Sequence, residues 1–159
     1  MTAFTSGVPF KVAVVQHAPV FLNLEASLDK ACALIEEAAR GGAQVIAFPE
    51  TWLPGYPVWL DYAPRAGLWD HPPAKALYRL LFETALAIDQ PTGGRHLGRL
   101  LSVAQRTGTY LVMGIHERAG GTIYKTILYL CPDGKSFQIH RKLIPTYTER
   151  LVWGRGDGS

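Results

Sequence analysis

The chain has 159 residues, long enough for one domain with a buried core, and its 48% hydrophobic and 18% charged residues are ordinary for a globular protein. The net charge is only +3, and because the basic residues are scattered rather than gathered into a stripe, the sequence argues against a nucleic-acid partner. No apolar run approaches the ~18 residues that a membrane span requires, and the N-terminus lacks a secretory pattern, so we expect a cytoplasmic protein with no membrane segment.

The first third of the chain predicts a β-α-β unit. Residues 11–16, KVAVVQ, and 44–48, QVIAF, are short apolar runs typical of buried strands. Between them Asn23 is a suitable helix N-cap, and apolar residues then recur at helical spacing until Gly41 and Gly42 end the pattern. This order predicts a right-handed crossover between two parallel strands.

The next segment, residues 49–73, has a different character, with six of the eleven prolines and three of the four tryptophans. Prolines at this density disfavour helices and central strands, so we predict an irregular loop rich in aromatic residues. The remaining elements are predicted as helices at 74–88 and 95–106 and strands at 109–115, 122–130 and 136–140, with an Asp-Gly hairpin turn at 131–135. The whole order indicates an α/β fold, a sheet with helices on at least one face.

Glu50 is the first candidate for a functional role. It follows the strand at 44–48 through Pro49, and ligands in open α/β sheets bind near the carboxyl ends of the strands. An isolated glutamate at a strand end is commonly a solvated surface charge. The aromatic sequence after Glu50 argues for more, because apolar surroundings raise the pKa of a carboxyl group and suit it to general-base catalysis.

The aromatic residues Trp52, Tyr56 and Trp59 are candidates for the walls of a substrate pocket beside Glu50. The alternative is that they simply pack the loop against the body of the protein, and the sequence favours neither interpretation. An aromatic wall would suit aryl or arylaliphatic substrates.

A second group of charges lies near the end of the chain. Lys142 follows the strand at 136–140, and Arg141 beside it is expected to face the other way. Taken singly, Lys142 and Glu149 are ordinary solvated charges. Taken with Glu50 they would form a carboxylate-ammonium-carboxylate group, which keeps the ammonium charged and able to stabilise a developing anion.

The sequence offers no evident nucleophile or metal site. Cys32 falls on the apolar stripe of the first helix, which is typical of a buried structural thiol. Cys131 precedes a Pro-Asp-Gly turn with no basic group predicted against it, so nothing indicates a lowered thiol pKa. The two cysteines form no Cys-x-x-Cys pair and the five histidines lack zinc-ligand spacing, so we expect no metal site.

Three ordered motifs carry a family resemblance: VAVVQHAP at 12–19, VIAFPETWLPGYP at 45–57 and HRKLIPTYTERLVWGRGDGS at 140–159. Together they resemble the nitrilase branch of the carbon-nitrogen hydrolase superfamily over essentially the whole chain. The resemblance implies a layered α-β-β-α sandwich, of which residues 1–159 would be a single and apparently incomplete domain. It also implies a Glu-Lys-Cys triad, with Glu50 as general base, Lys142 as catalytic lysine and Glu149 as the glutamate that supports the lysine.

The third member of the implied triad has no counterpart in the sequence. The family carries its cysteine in a Cys-Trp-Glu-like motif, and neither Cys32 nor Cys131 matches it in position or context. A complete enzyme of this kind would convert a small-molecule nitrile to a carboxylic acid and ammonia without a cofactor, and we expect a homo-oligomer. An amide-hydrolysing relative and a catalytically inactive fragment remain the alternatives. Half of a sandwich would expose a sheet edge and an apolar face, so we expect this chain alone to be poorly stable.

Overall fold

The structure, a computed structural model, describes residues 9–158 except Pro64, Asp89 and Gln90, and only the backbone of residues 91–93. In chain order its strands and helices are β1 Val12–Val14, α1 Leu24–Arg40, β2 Val45–Ala47, α2 Trp59–Tyr62, α3 Pro72–Thr84, α4 Pro91–Thr107, β3 Tyr110–Ala119, β4 Thr122–Leu130, β5 Phe137–Arg141 and a 3₁₀ helix Tyr147–Leu151. The strands form one sheet in the order β1-β2-β3-β4-β5. None of the helices in the described ranges is long and apolar enough to cross a membrane.

The predicted β-α-β unit is confirmed. Asn23 caps α1, since its side-chain oxygen accepts a hydrogen bond from the backbone N–H of Ala26 at 3.0 Å. β1 lies parallel to β2, and β2 lies parallel to β3, with Val45 opposite Tyr110. β3, β4 and β5 then run antiparallel. Parallel neighbours require crossovers, which α1 supplies before β2 and α3 with α4 supply before β3.

The main core lies between one face of the sheet and the helices α1 and α4. Its fully buried side chains come from both helices and from β2, β3 and β4: Leu28, Ile35, Ile46, Leu100, Leu111, Met113 and Leu128. Ion pairs join the outer surfaces of the two helices, Arg99 to Glu25 at 3.1 Å and Arg106 to Glu36 at 2.6 Å. Such exposed pairs contribute about 0–1 kcal/mol each, so the apolar contacts fix the packing.

The opposite face of the sheet is apolar and open. Val14 of β1 is 70% exposed, and the register places it in one row with Ala47, Val112 and Tyr129. Residues paired directly across strands lie on the same face, so this row is a continuous apolar strip. The strip lies opposite the main core, and at the other end of the same face Ile123 packs with residues of α2 and α3. The predicted α/β fold is therefore observed.

Helix α3 differs from its predicted range of 74–88. It begins at Pro72, because the first turn of a helix needs no N–H from proline and the ring nitrogen Nδ1 of His71 accepts from the N–H of Ala74 at 3.3 Å. It ends at Thr84, and the chain then extends so that Leu86 bridges to Glu117 of β3. Pairing with the sheet overrides the helical spacing there.

Two hairpins build the antiparallel half of the sheet. The predicted turn at 131–135 is confirmed, and the Asp133 carboxylate accepts from the N–H groups of Lys135 and Ser136, both at 2.8 Å. β3 is longer than predicted, since it continues to Ala119 and turns through Gly120 and Gly121 into β4. The double glycine is a hairpin signal in its own right.

Candidate active site

A cavity of about 490 Å³ lies on the open face of the sheet, beside β3, β4 and β5. Its apolar lining comes from Phe48, Val112, Gly114, Ile127, Leu143 and Ile144, and its polar lining comes from Glu50, Lys125, Thr126, His140 and Lys142. Apolar walls with a few convergent polar groups are the usual form of a small-molecule site.

Glu50 reaches this cavity because the backbone that carries it crosses directly over β3 at Gly114. A Cβ atom on Gly114 would lie 2.3 Å from the carbonyl oxygen of Pro49 and 2.5 Å from the Cα of Glu50. The crossing is held by a hydrogen bond from the N–H of Leu53 to the carbonyl of Gly114 at 3.1 Å. Only glycine allows so close an approach of two backbones.

Glu149 is fixed by the turn in which it lies. It occupies the first turn of the 3₁₀ helix, with Thr146 as N-cap, and its Oε2 accepts from the backbone N–H of Thr146 at 2.7 Å. This is the reciprocal contact of a capping box, and Thr-x-x-Glu at 146–149 is its sequence signature. The local fold therefore orients the carboxylate toward the cavity.

The structure brings Glu50, Lys142 and Glu149 together: the first two line the cavity, and Glu149 pairs with Lys142. The Nζ of Lys142 lies 2.9 Å from Oε2 of Glu149 and 3.8 Å from Oε1 of Glu50. Arg141 faces away from this group, as the strand alternation predicts, and its guanidinium donates to the buried carboxylate of Glu117 on the other side of the sheet.

A fourth charged residue, Lys125, was missed by the sequence analysis. It lies in the middle of β4, its side chain is 3% exposed, and its Nζ lies 2.5 Å from Oε1 of Glu149 and 3.3 Å from Oε2 of Glu50. The signal was present in TIYKTILYL, where one lysine interrupts an apolar strand. A buried ammonium requires a carboxylate partner, and that requirement would have linked β4 to the two glutamates.

The two lysines determine the ionisation of Glu149. Burial of this side chain opposes its charge, but hydrogen bonds from Lys125, from the backbone N–H of Thr146 and from Lys142 outweigh burial and hold the pKa of Glu149 at about 2. The carboxylate therefore stays charged across the neutral range and balances one of the two ammonium groups.

His116 is a second residue that the sequence analysis left without a role. Its ring is fully buried, Nε2 lies 2.9 Å from the carbonyl oxygen of Gly55, and Nδ1 accepts from the indole N–H of Trp153 at 3.1 Å. Burial lowers the pKa of His116 to about 4, with the hydrogen bond to Gly55 opposing the change and the charge of Lys125 adding to it. A neutral ring thus joins the loop that carries Glu50 to the segment that follows Glu149.

The three aromatic residues predicted as pocket walls lie in different surroundings. Tyr56 is half-buried, its ring lies 5.3 Å from the Nζ of Lys125, and burial raises its pKa to about 12. Trp52 is buried in the main core and donates through its indole N–H to the carbonyl of His17. Trp59 packs in a second apolar cluster beside α3. All three residues lie outside the cavity lining, and the two tryptophans pack as the alternative interpretation describes.

Both cysteines of the chain lie away from the cavity. Cys32 is half-buried on α1 against the core, and burial raises its thiol pKa. Cys131 follows the last residue of β4, at the turn into β5. Among the residues that the structure describes, no group of three His, Cys, Asp or Glu side chains is placed to hold a metal ion.

The α/β layer groups two carboxylates and two lysines beside one cavity. Residues 11–159 match the carbon-nitrogen hydrolase family, and the chain belongs to that family.

Several relatives of the chain are nitrilases. The chain is 43% identical to an aliphatic nitrilase of Rhodococcus rhodochrous over 152 residues, which are 94% of this chain and 38% of that protein. It is 38% identical to an arylacetonitrilase of Aspergillus niger, over 97% of this chain and 42% of that protein. The sequence resemblance to nitrilases is confirmed, and the chain spans about two-fifths of the length of these relatives.

Solved structures share the fold. A carbon-nitrogen hydrolase superfamily protein of Xanthomonas campestris superposes with a TM-score of 0.64 at 20% identity, over 91% of this chain and 45% of that one. An amidase of Nesterenkonia sp. superposes with a TM-score of 0.64 at 18% identity, over 93% of this chain and 48% of that one. The predicted carbon-nitrogen hydrolase fold is confirmed by this likeness.

Proposed function

We propose that this chain supplies the general base and the catalytic cation of a nitrilase-type active site, which converts a small-molecule nitrile to a carboxylic acid and ammonia. The observation that carries the proposal is the presence of Glu50 and Lys142 in the lining of one apolar-walled cavity, with Glu149 paired to Lys142 beside it. Identity of about 40% to nitrilases favours a nitrile over an amide as substrate.

Glu50 is suited to the role of base because it is accessible. Its side chain is 55% exposed at the cavity, in contrast to the nearly buried Glu149. In the proposed reaction Glu50 takes the proton of a cysteine thiol as sulfur bonds to the nitrile carbon, and nitrogen is protonated to give a thioimidate. Water then adds with help from Glu50, ammonia leaves, and a second water hydrolyses the thioester to the acid.

Lys142 is suited to stabilise the charge that develops in these steps. Its ammonium donates to both oxygens of Glu149, at 2.9 and 3.3 Å, and this pairing orients it. Its side chain remains 34% exposed toward the cavity, so it can approach an anionic intermediate. A preorganised contact of this kind typically contributes about a hundredfold or more to the rate.

The nucleophile of the proposed reaction belongs to polypeptide outside this chain. Cys32 and Cys131 lie in the core and at a turn, away from the cavity. We therefore regard residues 1–159 as one incomplete domain whose active site another segment completes. On this proposal the whole protein acts in the cytoplasm, without a cofactor, as a homo-oligomer.

The experiment is an ammonia-release assay of the full-length protein on matched nitriles and amides. We expect nitrile turnover, and a fall of about a hundredfold or more in Glu50→Gln and Lys142→Met. Lys75→Met is the matched control, since Lys75 pairs with Asp70 at the surface. Turnover of amides alone would overturn the assignment. Turnover by the 159-residue chain after substitution of Cys32 and Cys131 would contradict the placement of the nucleophile.

A further inference from the structure

We propose that Lys125 is a positioning residue of this site, which holds Oε2 of Glu50 and Oε1 of Glu149 and so leaves Oε1 of Glu50 as the oxygen that accepts the proton. The inference rests on the proposed function for its kinetic consequence. Its structural part, the orientation of two carboxylates by a buried ammonium, stands independently of the substrate.

Four charged groups of alternating sign form a closed ring. Lys125 contacts Glu149 at 2.5 Å and Glu50 at 3.3 Å, and Lys142 contacts Glu149 at 2.9 Å and approaches Glu50 to 3.8 Å. The side-chain exposures are 3% for Lys125, 12% for Glu149, 34% for Lys142 and 55% for Glu50. The ring thus has a closed end formed by Lys125 and Glu149 and an open end at which Glu50 and Lys142 meet the cavity.

Aromatic rings enclose the ammonium at the closed end. The Nζ of Lys125 lies 4.4 Å from the ring centroid of Trp153 and 5.3 Å from that of Tyr56, within the range of cation–π attraction. Trp153 is itself fixed by its hydrogen bond to His116, on whose ring it stacks. These contacts fix the position of the ammonium. A donor in a fixed position can orient the carboxylate that it contacts.

The two oxygens of Glu50 are not equivalent in this arrangement. Oε2 forms an ion pair with Lys125 at 3.3 Å, whereas Oε1 lies 3.8 Å from the Nζ of Lys142, too long for a hydrogen bond. Oε1 therefore has the longer of the two contacts and lies toward the open end of the ring of four charges. By pairing with Oε2 of Glu50, Lys125 leaves Oε1 as the oxygen that serves as base.

Lys125 also changes the charge of the site. Two carboxylates with Lys142 alone would carry one net negative charge where the proposed reaction forms an anion, and Lys125 neutralises it. The other titratable groups beside these four charges are the uncharged His116 and the phenol of Tyr56, whose own neighbour is the carboxylate of Asp61, with His140 elsewhere in the cavity lining. Glu117 and Arg141 form their own pair on the other side of the sheet.

The test is Lys125→Met in the full-length protein, because methionine fills the space without a charge. We expect kcat for a nitrile to fall by about ten- to a hundredfold with KM changed by less than about threefold, since the interaction acts on the reacting carboxylate. Lys75→Met should leave both unchanged.

Two further measurements distinguish failure of the inference about Lys125 from failure of the proposed function. A carbon-13 NMR titration of Glu149 should show a higher midpoint in Lys125→Met, and this readout requires no substrate. If Lys125→Met does not fold, Lys125→Arg carries the kinetic test: the displaced donor should lower kcat while KM changes by less than about threefold. Unaltered kcat and an unaltered Glu149 midpoint in a folded variant would overturn the inference. Absence of nitrile turnover by the unsubstituted protein would instead refute the proposed function alone.

Discussion

Glu50 and Gly114 are in direct backbone contact, so the position of the candidate base depends on a residue that carries no side chain. A Cβ atom on Gly114 would stand 2.5 Å from the Cα of Glu50, a distance at which one of the two backbones must move. The link between strand β3 and the loop after β2 is therefore steric, and it is the means by which the sheet fixes the base.

Gly114→Ala should displace Glu50 and impair both activity and stability. Because misplacement of a reacting group by about 1 Å costs on the order of a hundredfold in rate, we expect that loss in nitrile turnover. Overpacking should lower the free energy of unfolding by about 1–3 kcal/mol, measured by urea denaturation.

The matched control for this substitution is Gly98→Ala. Gly98 lies on the exposed side of α4, and a Cβ atom there meets nothing within 4 Å. Alanine is favoured over glycine inside a helix, so the control should gain up to about 1 kcal/mol and keep full activity. Equal losses in the two variants would refute the steric link.

Glu149→Gln should destabilise the protein much more than a surface substitution of the same kind. It removes the charge that balances the buried Lys125, and breaking a buried pair from one side costs about 3–5 kcal/mol. We expect the lower end of that range, because Glu50 remains near Lys125. Glu83→Gln, in an exposed pair with Arg79, should cost less than about 0.5 kcal/mol. Urea unfolding curves that coincide for the two variants would contradict the buried pair.

The sequence predicted the elements that depend on local pattern. Asn23 at the start of α1, the Asp-Gly turn at 131–135 and the opposite orientations of Arg141 and Lys142 all follow from near neighbours in the chain. The predictions that failed concern elements and residues whose role depends on partners far away in the sequence. α3 stops at Thr84 because Leu86 pairs with Glu117 of β3, which helical periodicity cannot indicate.

In the candidate site, too, the residues in local sequence motifs were predicted and the residue that depends on distant partners was missed. Glu50, Lys142 and Glu149 stand in recognisable motifs, and the structure places them together. Lys125 belongs to no motif and was missed, since its importance lies in burial between two carboxylates that are 24 or more residues away in the chain. A lysine within an apolar strand is a signal for such a partner, because a buried charge without one is too costly to fold.

Trp52→Phe tests whether this residue binds substrate or packs the loop. Trp52 packs at 4.8 Å from the ring of Phe48, and its indole N–H bonds to the carbonyl of His17. Phenylalanine loses that hydrogen bond and leaves the carbonyl unpaired, so unfolding should become easier by about 1–3 kcal/mol. KM for aryl and aliphatic nitriles should stay within about twofold. A change in the ratio of the KM values for aryl and aliphatic nitriles, without loss of stability, would indicate that Trp52 contacts the substrate.

The stability of the protein should fall on acidification in two successive windows. The folded-state pKa of His116 is about 4, against an ordinary value of 6.5. Between those pH values the unfolded chain binds a proton at this residue and the folded protein does not. Stability therefore decreases as the pH falls from 6.5 to 4, by up to about 3 kcal/mol. Glu149, with a pKa of about 2 against 4.5, contributes stability that is lost as the pH falls from 4.5 toward 2.

The His116 window is checked by urea unfolding of the unsubstituted protein and of His116→Asn at pH 7.5 and pH 4.5. Asparagine does not titrate, so His116→Asn should lose less stability between the two pH values, by about 2–3 kcal/mol. Its stability at pH 7.5 should also be lower, because Gly55 and Trp153 lose part of the bridge between them. A pH dependence that is the same in both proteins would show that another group titrates in this range and that His116 is not the buried neutral ring that joins the two segments.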